Sequence, residues 1–254
     1  MIKSLDELPY EFESLKDKPK ELFYKGNFSL LGKRRISIVG TRHPISYTKQ
    51  LCFKLGNALK NRGVCVVSGG AMGVDALAHK SAFPNTIGVM ANSLDIVYPK
   101  VNYSLLKSME KESLMLSEYR QNTKATRYSF VLRNRIVVSL GEVLVVAQAD
   151  LNSGSVRSIE IAQKLGKKIY VFPHRIGDSL GTDQLLKDGQ ATVIYDIDKF
   201  ADLFGEVSQE RDEILEFCKM HDDFDLIYDK FGDKIYEYEL QGKIEIKNLK
   251  VIVL

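Results

Sequence analysis

A glycine-rich turn between an apolar strand and a helix is the feature that most constrains the fold of this chain. Residues 64–67 are apolar and predict a buried strand, and residues 74–82 predict a helix. The turn between them contains Ser68, Gly69, Gly70 and Ala71. Glycine tolerates positive φ and lets a ligand approach closely, and the free N–H groups at the start of a helix attract anions. The turn therefore predicts a phosphate site; a tight strand-to-helix turn without a ligand is the alternative.

Two further turns of the same kind follow predicted strands at residues 36–39 and 143–147. Their residues are Gly40, Thr41 and Arg42 in the first turn and Ser153, Gly154 and Ser155 in the second. An arginine in such a turn can donate two parallel hydrogen bonds to phosphate oxygens. Because open α/β sheets bind ligands at the carboxyl ends of parallel strands, the three turns are expected to converge on one edge. Together they predict a ligand with several phosphates, or a polymer of them.

Strand and helix patterns alternate from residue 34 to about residue 205. Alternation with short connections predicts the α/β class, with a Rossmann-like, doubly wound and mainly parallel sheet that helices cover on both faces. Residues 1–33 predict a lead-in segment packed on this main domain. Residues 206–254 combine three short helical patterns with a hairpin, which predicts a small winged-helix-like C-terminal domain.

The two predicted domains differ in charge. The net charge is +3, but residues 206–254 carry −6 and the remainder carries +9. This excess of basic residues is expected if the main domain binds a polyanion, and a solvated basic face without a ligand is the alternative. Asp233, Glu237 and Glu239 lie on or beside the predicted recognition helix of the winged helix, where they would repel phosphates. The C-terminal domain is therefore predicted to contact protein or to be structural.

Several classes of protein are disfavoured by the sequence. No apolar run reaches the roughly 18 residues that a membrane helix needs, and the acidic N-terminus lacks the apolar core of a secretory signal. Cys52, Cys65 and Cys218 are widely spaced, which is typical of buried thiols in a reducing compartment. We therefore expect a cytoplasmic protein that does not contact a membrane. Without metal-ligand spacing, a Walker A motif or G-x-G-x-x-G, neither a metal nor an organic cofactor is expected.

Asp75 and His79 are four residues apart and share one face of the predicted helix. They could form a metal-binding or acid–base pair. The helix is apolar and lies at the root of the glycine turn, so a hydrogen-bonded structural pair is predicted instead.

Residues 124–135 interleave basic and aromatic side chains before a predicted helix. Single-stranded nucleic acid is held by a cationic path for the backbone and by flat rings or guanidinium groups for the bases. Phe130 and Arg133 are three residues apart and could present such a pair on one helix face. Alternatively, Phe130 belongs to the core, and Arg133 or Arg135 pairs with a carboxylate such as Glu118. The spacing alone leaves both interpretations open.

Taken in order, these motifs resemble the DprA/Smf family of DNA-processing proteins over nearly the whole chain. Beyond the three turns, the resemblance includes Gly73-Val74-Asp75, Ala78-His79, Tyr98-Pro99, Asn102, Ser117-Glu118, Arg133-Asn134-Arg135, Pro173, Gly181-Thr182, Leu185-Leu186 and Gly189. The resemblance implies a Rossmann-type protein that binds and protects single-stranded DNA and helps to load the RecA recombinase during natural transformation. It also implies a homodimer, which would present two clefts to one strand.

On this resemblance, Arg127 takes the position of a DNA-contacting basic residue and Phe130 that of an aromatic residue that meets a base. In the predicted DNA site, phosphates are bound by the N–H groups of Thr41, Gly69, Gly70, Gly154 and Ser155, by the hydroxyls of Ser68 and Ser153, and by Arg42 and Arg127. Bases are contacted by Phe130 and Arg133. The predicted site also includes Gly40, Ala71 and Asn134.

The alternative is a nucleotide-binding or nucleoside-monophosphate-hydrolysing protein of the lysine-decarboxylase-like group of Rossmann domains. That group carries a P-G-G-x-G-T-x-x-E signature with a catalytic glutamate four residues after the last glycine. Here Glu160 follows Gly154 by six residues, and the proline and glycine pair is absent. A protein without enzymatic activity is therefore predicted.

Overall fold

The computed structural model describes residues 2–151, 153–207, 213–240 and 242–253, and the chain divides into two compact units, residues 1–207 and 208–254. The strands of the first unit are β1 (Lys3–Ser4), β2 (Phe23–Gly26), β3 (Arg35–Val39), β4 (Cys65–Gly69), β5 (Thr86–Val89), β6 (Leu114–Ser117), β7 (Leu144–Val146), β8 (Ile169–Val171) and β9 (Thr192–Val193). Its helices are α1 (Ser46–Lys60), α2 (Val74–Ala82), α3 (Tyr103–Glu112), α4 (Arg127–Leu140), α5 (Gly154–Lys164), α6 (Leu180–Lys187) and α7 (Ile197–Asp202).

These strands form one sheet in the order β1-β2-β6-β5-β4-β3-β7-β8-β9. Neighbours from β6 to β9 are parallel, whereas β2 pairs antiparallel with β6, and β1 with β2. The predicted Rossmann-like, mainly parallel sheet is confirmed. Strand β3 lies between β4 and β7, so the loops that follow these three strands open onto one edge, where sheets of this kind bind ligands.

Alternate residues of the central strands point to opposite faces of the sheet. Ile36, Ile38 and Val66 pack against α1, α2 and α7 on one face. Cys65 and Val67 belong to a second core, which α4 and α5 cover on the other face. Because both faces are covered, the strands are apolar at nearly every position, as a buried parallel sheet requires.

Strand β4 continues two residues beyond the predicted strand at 64–67. Ser68 and Gly69 pair with Gly88 and Val89 of β5, so they are part of the sheet and are buried. The turn proper therefore begins at Gly70, which changes what Ser68 can contact.

The second unit contains the helices α8 (Glu213–Met220), α9 (Phe224–Phe231) and α10 (Lys234–Leu240), followed by an antiparallel hairpin of β10 (Ile244–Lys247) and β11 (Lys250–Val253). Its own core consists of Ile214, Cys218, Ile227, Ile235, Ile244 and Val251. Three helices and a hairpin fit the predicted winged-helix-like fold. Asp233, Glu237 and Glu239 are exposed on or beside α10, so the acidic surface predicted from the sequence is present.

All three cysteines are buried, as predicted. Over the residues that the structure describes, none of the helices combines the length and apolar character needed to cross a bilayer.

Candidate nucleic-acid interface

A cleft of about 770 Å³ opens at the carboxyl ends of β3, β4 and β7. It brings together twelve of the fourteen predicted site residues, which are Gly40, Thr41, Arg42, Gly69, Ala71, Arg127, Phe130, Arg133, Asn134, Ser153, Gly154 and Ser155. The other residues that line the cleft were not predicted as site residues, and they are Val39, Met72, Asp75, Tyr98, Pro99, Val131, Val137 and Ser158. Ser68 and Gly70 do not line it. The expected convergence of the three turns is therefore seen.

The rings and cations of the cleft meet at Phe130, in the first turn of α4. The guanidinium carbon of Arg42 lies 5.8 Å from the centroid of the Phe130 ring. The ring centroid of Tyr98 lies 6.1 Å from that of Phe130. Arg42 is exposed, Phe130 is half-buried, and Tyr98 keeps 45 % of its surface accessible. A cation for phosphate and two rings for bases thus stand side by side, an arrangement that single-strand-binding proteins use.

Arg127 is the first residue of α4, and its side chain is exposed at the cleft. The helix begins there because Thr126 and Ser129 cap it. The Thr126 hydroxyl accepts a 3.1 Å hydrogen bond from the Ser129 N–H, and the Ser129 hydroxyl accepts one of 2.8 Å from the Thr126 N–H. This capping box fixes the start of α4 and holds Arg127 at the mouth of the cleft.

The start of α5 forms the third part of the cleft. Gly154 and Ser155 are its first two residues, so their N–H groups have no acceptor within the helix and the positive end of the helix dipole lies beside them. The hydroxyl of Ser153, directly before the helix, is buried and makes no hydrogen bond to any of the described residues. The N–H groups of Gly154 and Ser155 thus lie at the cleft without a partner inside the helix, and their contact with a phosphate stays a prediction.

The loop after β3 is held in place by backbone hydrogen bonds of Thr41, and these bonds change the role predicted for Thr41. Its N–H donates a 2.8 Å hydrogen bond to the Gln148 carbonyl, and its own carbonyl accepts one of 3.1 Å from the Val74 N–H. Gly73, at φ +78°, packs so close to the Thr41 and Arg42 backbone that a Cβ would overlap it. The prediction that the Thr41 N–H binds phosphate is wrong, because Gln148 already occupies it; Thr41 instead fixes the loop that carries Arg42.

Two predicted contacts at the glycine turn are also wrong. The Ser68 side chain is fully buried, and its hydroxyl donates a 2.6 Å hydrogen bond to the Ile38 carbonyl. Gly70 is buried against Met90, and Asn102 donates to its carbonyl over 3.1 Å. Both residues therefore shape the turn from behind and do not face the cleft.

Arg133 lies beneath the cleft surface, with 4 % of its area exposed. Its Nη1 donates a 2.6 Å hydrogen bond to the Val89 carbonyl, and its Nη2 lies 3.9 Å from Asp75 Oδ2. The prediction that the Arg133 side chain meets a base is wrong, because burial and these partners hold it in the floor of the cleft. The alternative interpretation, pairing with Glu118, is confirmed for Arg135, which donates two hydrogen bonds of 2.9 and 2.7 Å to that carboxylate.

Asp75 and His79 have structural partners, but they do not bond each other: Asp75 bonds the glycine turn and His79 bonds the end of β4. Asp75 Oδ2 accepts a 3.4 Å hydrogen bond from the Ala71 N–H, and His79 Nε2 lies 2.7 Å from the Gly69 carbonyl oxygen. Burial raises the pKa of Asp75 against the opposing charge of Arg133. Burial lowers the pKa of His79 to about 4, so the imidazole is neutral and donates to Gly69. Among the described residues, no cluster of His, Cys, Asp and Glu could hold a metal ion.

Comparison with known proteins shows the family to which this chain belongs. Residues 1–205 match the family model of DNA recombination-mediator protein A. DNA processing protein DprA from Bacillus subtilis is 34% identical over 206 residues, which are 79% of this chain and 69% of that protein. The DprA of Streptococcus pneumoniae is 35% identical over 190 residues, covering 73% of this chain and 67% of that protein.

Two solved structures share the fold and much of the sequence. DNA processing protein A from Helicobacter pylori, whose structure was studied for its single-stranded DNA binding mode, superposes with a TM-score of 0.78 at 40% identity, covering 80% of this chain and 94% of that chain. The crystal structure of DprA from Streptococcus pneumoniae superposes with a TM-score of 0.74 at 32% identity, covering 81% of this chain and 75% of that chain. This chain belongs to the DNA recombination-mediator protein A family, which includes the DprA proteins.

Proposed function

We propose that the cleft binds single-stranded DNA with little sequence preference. The observation that carries the proposal is the grouping of Arg42, Phe130 and Tyr98, because it places a phosphate-binding cation 5.8 Å from the Phe130 ring and the accessible Tyr98 ring 6.1 Å from the same ring. Arg127 and the start of α5 add a second cation and a set of N–H donors. None of these groups reads a base edge in a fixed pattern, so backbone charge and stacking would dominate the binding energy.

The proposed biological role is that of a recombination mediator without catalytic activity. It would protect incoming single-stranded DNA in the cytoplasm, act as a homodimer and help to load RecA. Family membership supports this role. The contacts of Asp75 support it too, because this carboxylate, which lines the cleft, is engaged with Ala71 and Arg133 and is not free to act in catalysis. Glu160, the residue nearest to the glutamate of the hydrolase signature, forms a 2.9 Å ion pair with Arg157 on the surface of α5.

We propose that the acidic second unit contacts a protein, because exposed carboxylates on α10 disfavour a phosphate backbone there.

The test of single-strand binding is a titration of fluorescent oligothymidylate with the full-length protein at two salt concentrations, with mixed-sequence single strands and duplex DNA as competitors. We expect mixed-sequence single strands to compete as well as thymidylate and duplex to compete poorly. The logarithm of the association constant should fall linearly with the logarithm of salt concentration, with a slope of about −0.7 per phosphate neutralised. A preference for duplex DNA or a flat salt response would refute the proposal.

The same preparation should be incubated with nucleoside monophosphates and assayed for released base. Sustained turnover would favour the lysine-decarboxylase-like alternative over a binding protein. No release, together with tight single-strand binding, is the expected result.

A further inference from the structure

A second cavity, of about 530 Å³, lies at the same edge of the sheet as the cleft. Its lining residues are Ile45, Tyr47, Pro173, His174, Arg175 and Asp178. Ile45 and Tyr47 belong to the start of α1, and residues 173–178 follow β8, so the cavity lies at the carboxyl ends of β3 and β8. It shares no lining residue with the cleft, and its volume is that of a small-molecule site.

Two rings form walls of this second cavity, and one of them is fixed. The His174 ring is held from both sides, with Nε2 2.9 Å from the Thr48 hydroxyl and Nδ1 3.1 Å from the Phe172 carbonyl oxygen. The Tyr47 ring lies edge-on to it, with centroids 6.1 Å apart, and is 45 % exposed. The cavity therefore offers an accessible ring beside a ring that cannot turn, which suits a flat aromatic ligand.

Two opposite charges stand at the polar side of the cavity. Arg175 is exposed and Asp178 is half-buried. Neither side chain makes a hydrogen bond or an ion pair with any residue that the structure describes. A phosphate would lie beside Arg175 and away from Asp178, whereas Asp178 can accept a hydrogen bond from an N–H group. Flat walls, a cation and a carboxylate together match a nucleotide, with the base directed toward Asp178.

The cleft and the second cavity are connected through one loop. Arg42 lines the cleft, and Ile45, three residues later, lines the second cavity, so at most about 10 Å of chain separates them. Gln148 holds this loop at both ends. Its carbonyl accepts a 2.8 Å hydrogen bond from the Thr41 N–H, and its Oε1 accepts one of 3.0 Å from the Ile45 N–H. A strand bound at Arg42 can therefore continue over the loop into the second cavity.

We propose that the second cavity binds a further nucleotide of the same DNA strand. Its base packs against the rings of Tyr47 and His174, and its phosphate lies beside Arg175. This inference rests on the proposed function of the cleft and extends it, since it gives the strand a second anchoring point on the other side of the β3 loop.

The test uses oligothymidylates of about 4 and about 12 nucleotides, both within the range of known single-strand site sizes. The short strand can occupy the cleft alone, and the long strand can reach both sites. We expect Tyr47→Ala in the full-length protein to weaken binding of the long strand about tenfold, the scale of one lost stacking contact, and to leave the short strand unchanged. Tyr47→Phe keeps the ring and should bind the long strand as the wild type does.

Arg175→Ala should weaken binding of the long strand. It should also reduce the salt dependence of that binding, the slope of log association constant against log salt, by about 0.7, which corresponds to the loss of one phosphate contact. Tyr10→Ala is the matched control, because Tyr10 is 77 % exposed and lines neither cavity. Unchanged long-strand affinity in folded Tyr47→Ala and Arg175→Ala proteins would overturn the second cavity as a site, and so would an equal loss for both lengths. If the wild type binds neither strand, the proposed function of the cleft itself fails, so the two failures are distinguishable.

Discussion

The guanidinium of Arg133 donates a 2.6 Å hydrogen bond to the carbonyl oxygen of Val89, at the end of β5. Through this bond, α4 is fastened to the sheet directly beneath the cleft. Arg133 also faces the buried carboxylate of Asp75, so its charge has a partner in the floor. Among the residues that line the cleft, the cations left to meet DNA at its surface are then Arg42 and Arg127, both exposed, and the first prediction concerns Arg42.

Arg42→Ala is expected to weaken single-strand binding by about 1.5–3 kcal/mol, the contribution of a hydrogen bond to a charged group. Arg42→Lys should recover only part of this loss, since an ammonium group cannot donate two parallel hydrogen bonds to one phosphate. Fluorescence titration with oligothymidylate measures both. The matched control is Arg34→Ala, which removes an exposed arginine at the opposite end of β3. Equal affinities for wild type and a folded Arg42→Ala protein would exclude Arg42 from the site.

Phe130→Trp tests whether a base stacks at the centre of the cleft. The chain contains no tryptophan, so this substitution introduces a single fluorophore. Its emission should be quenched when oligothymidylate binds, because stacking on a base brings the two rings into contact. Tyr10→Trp, at an exposed position outside the cleft, should keep its emission. Binding without quenching at position 130 would show that bases lie elsewhere.

The location of the site in the fold could be predicted from the sequence better than the direction in which its side chains point. The three turns were found because strand ends in a parallel sheet share an edge, whatever the details of each turn. Ser68 was misassigned because pairing with β5 extends β4 by two residues, and local sequence does not show where a neighbouring strand ends. Arg133 shares the helix spacing of a surface residue, but Val89 and Asp75, distant in sequence, bury it.

Tyr98 was missed for a related reason. It lies in the loop after β5, outside any helix or strand, so no periodicity marks it. Its contact with Phe130 depends on how that loop folds over α4. The signal that could have identified Tyr98 is an aromatic residue placed before Pro99 in a loop at the ligand-binding edge of the sheet, because binding residues are often carried on such loops.

Gly69→Ala and Gly154→Ala should have opposite consequences for stability. A Cβ on Gly69 would overlap the Arg133 guanidinium, whereas nothing lies within 4 Å of the position of a Cβ on Gly154. We expect Gly69→Ala to lower the free energy of unfolding by about 1–3 kcal/mol, the cost of overpacking. Gly154→Ala should be neutral or stabilising by up to about 1 kcal/mol, because alanine loses less backbone entropy. Urea denaturation of the two variants measures this difference, and equal stabilities would show that Arg133 moves freely away from Gly69.

His79 should make the stability of the protein depend on pH in the acid range. Its pKa is about 4 in the folded protein, against an ordinary value of 6.5, because burial disfavours the imidazolium. Between these two values the unfolded chain binds a proton that the folded chain does not, so stability is fully present above pH 6.5 and is lost as the pH falls toward 4. The expected loss is about 3 kcal/mol, at 1.36 kcal/mol for each pKa unit.

The comparison is with His79→Gln, whose amide can donate to the Gly69 carbonyl as Nε2 does but does not titrate. Urea denaturation at a series of pH values from 7 to 4 gives the free energy of unfolding of each protein. Asp75 and His174 also have shifted pKa values, but both are present in both proteins, so the difference between the two curves isolates His79. As the pH falls from 6.5 to 4, the free energy of unfolding of the wild type should fall by about 3 kcal/mol more than that of His79→Gln. Parallel curves would mean that His79 takes up its proton without breaking its bond to Gly69, and that the turn beneath the cleft tolerates an imidazolium.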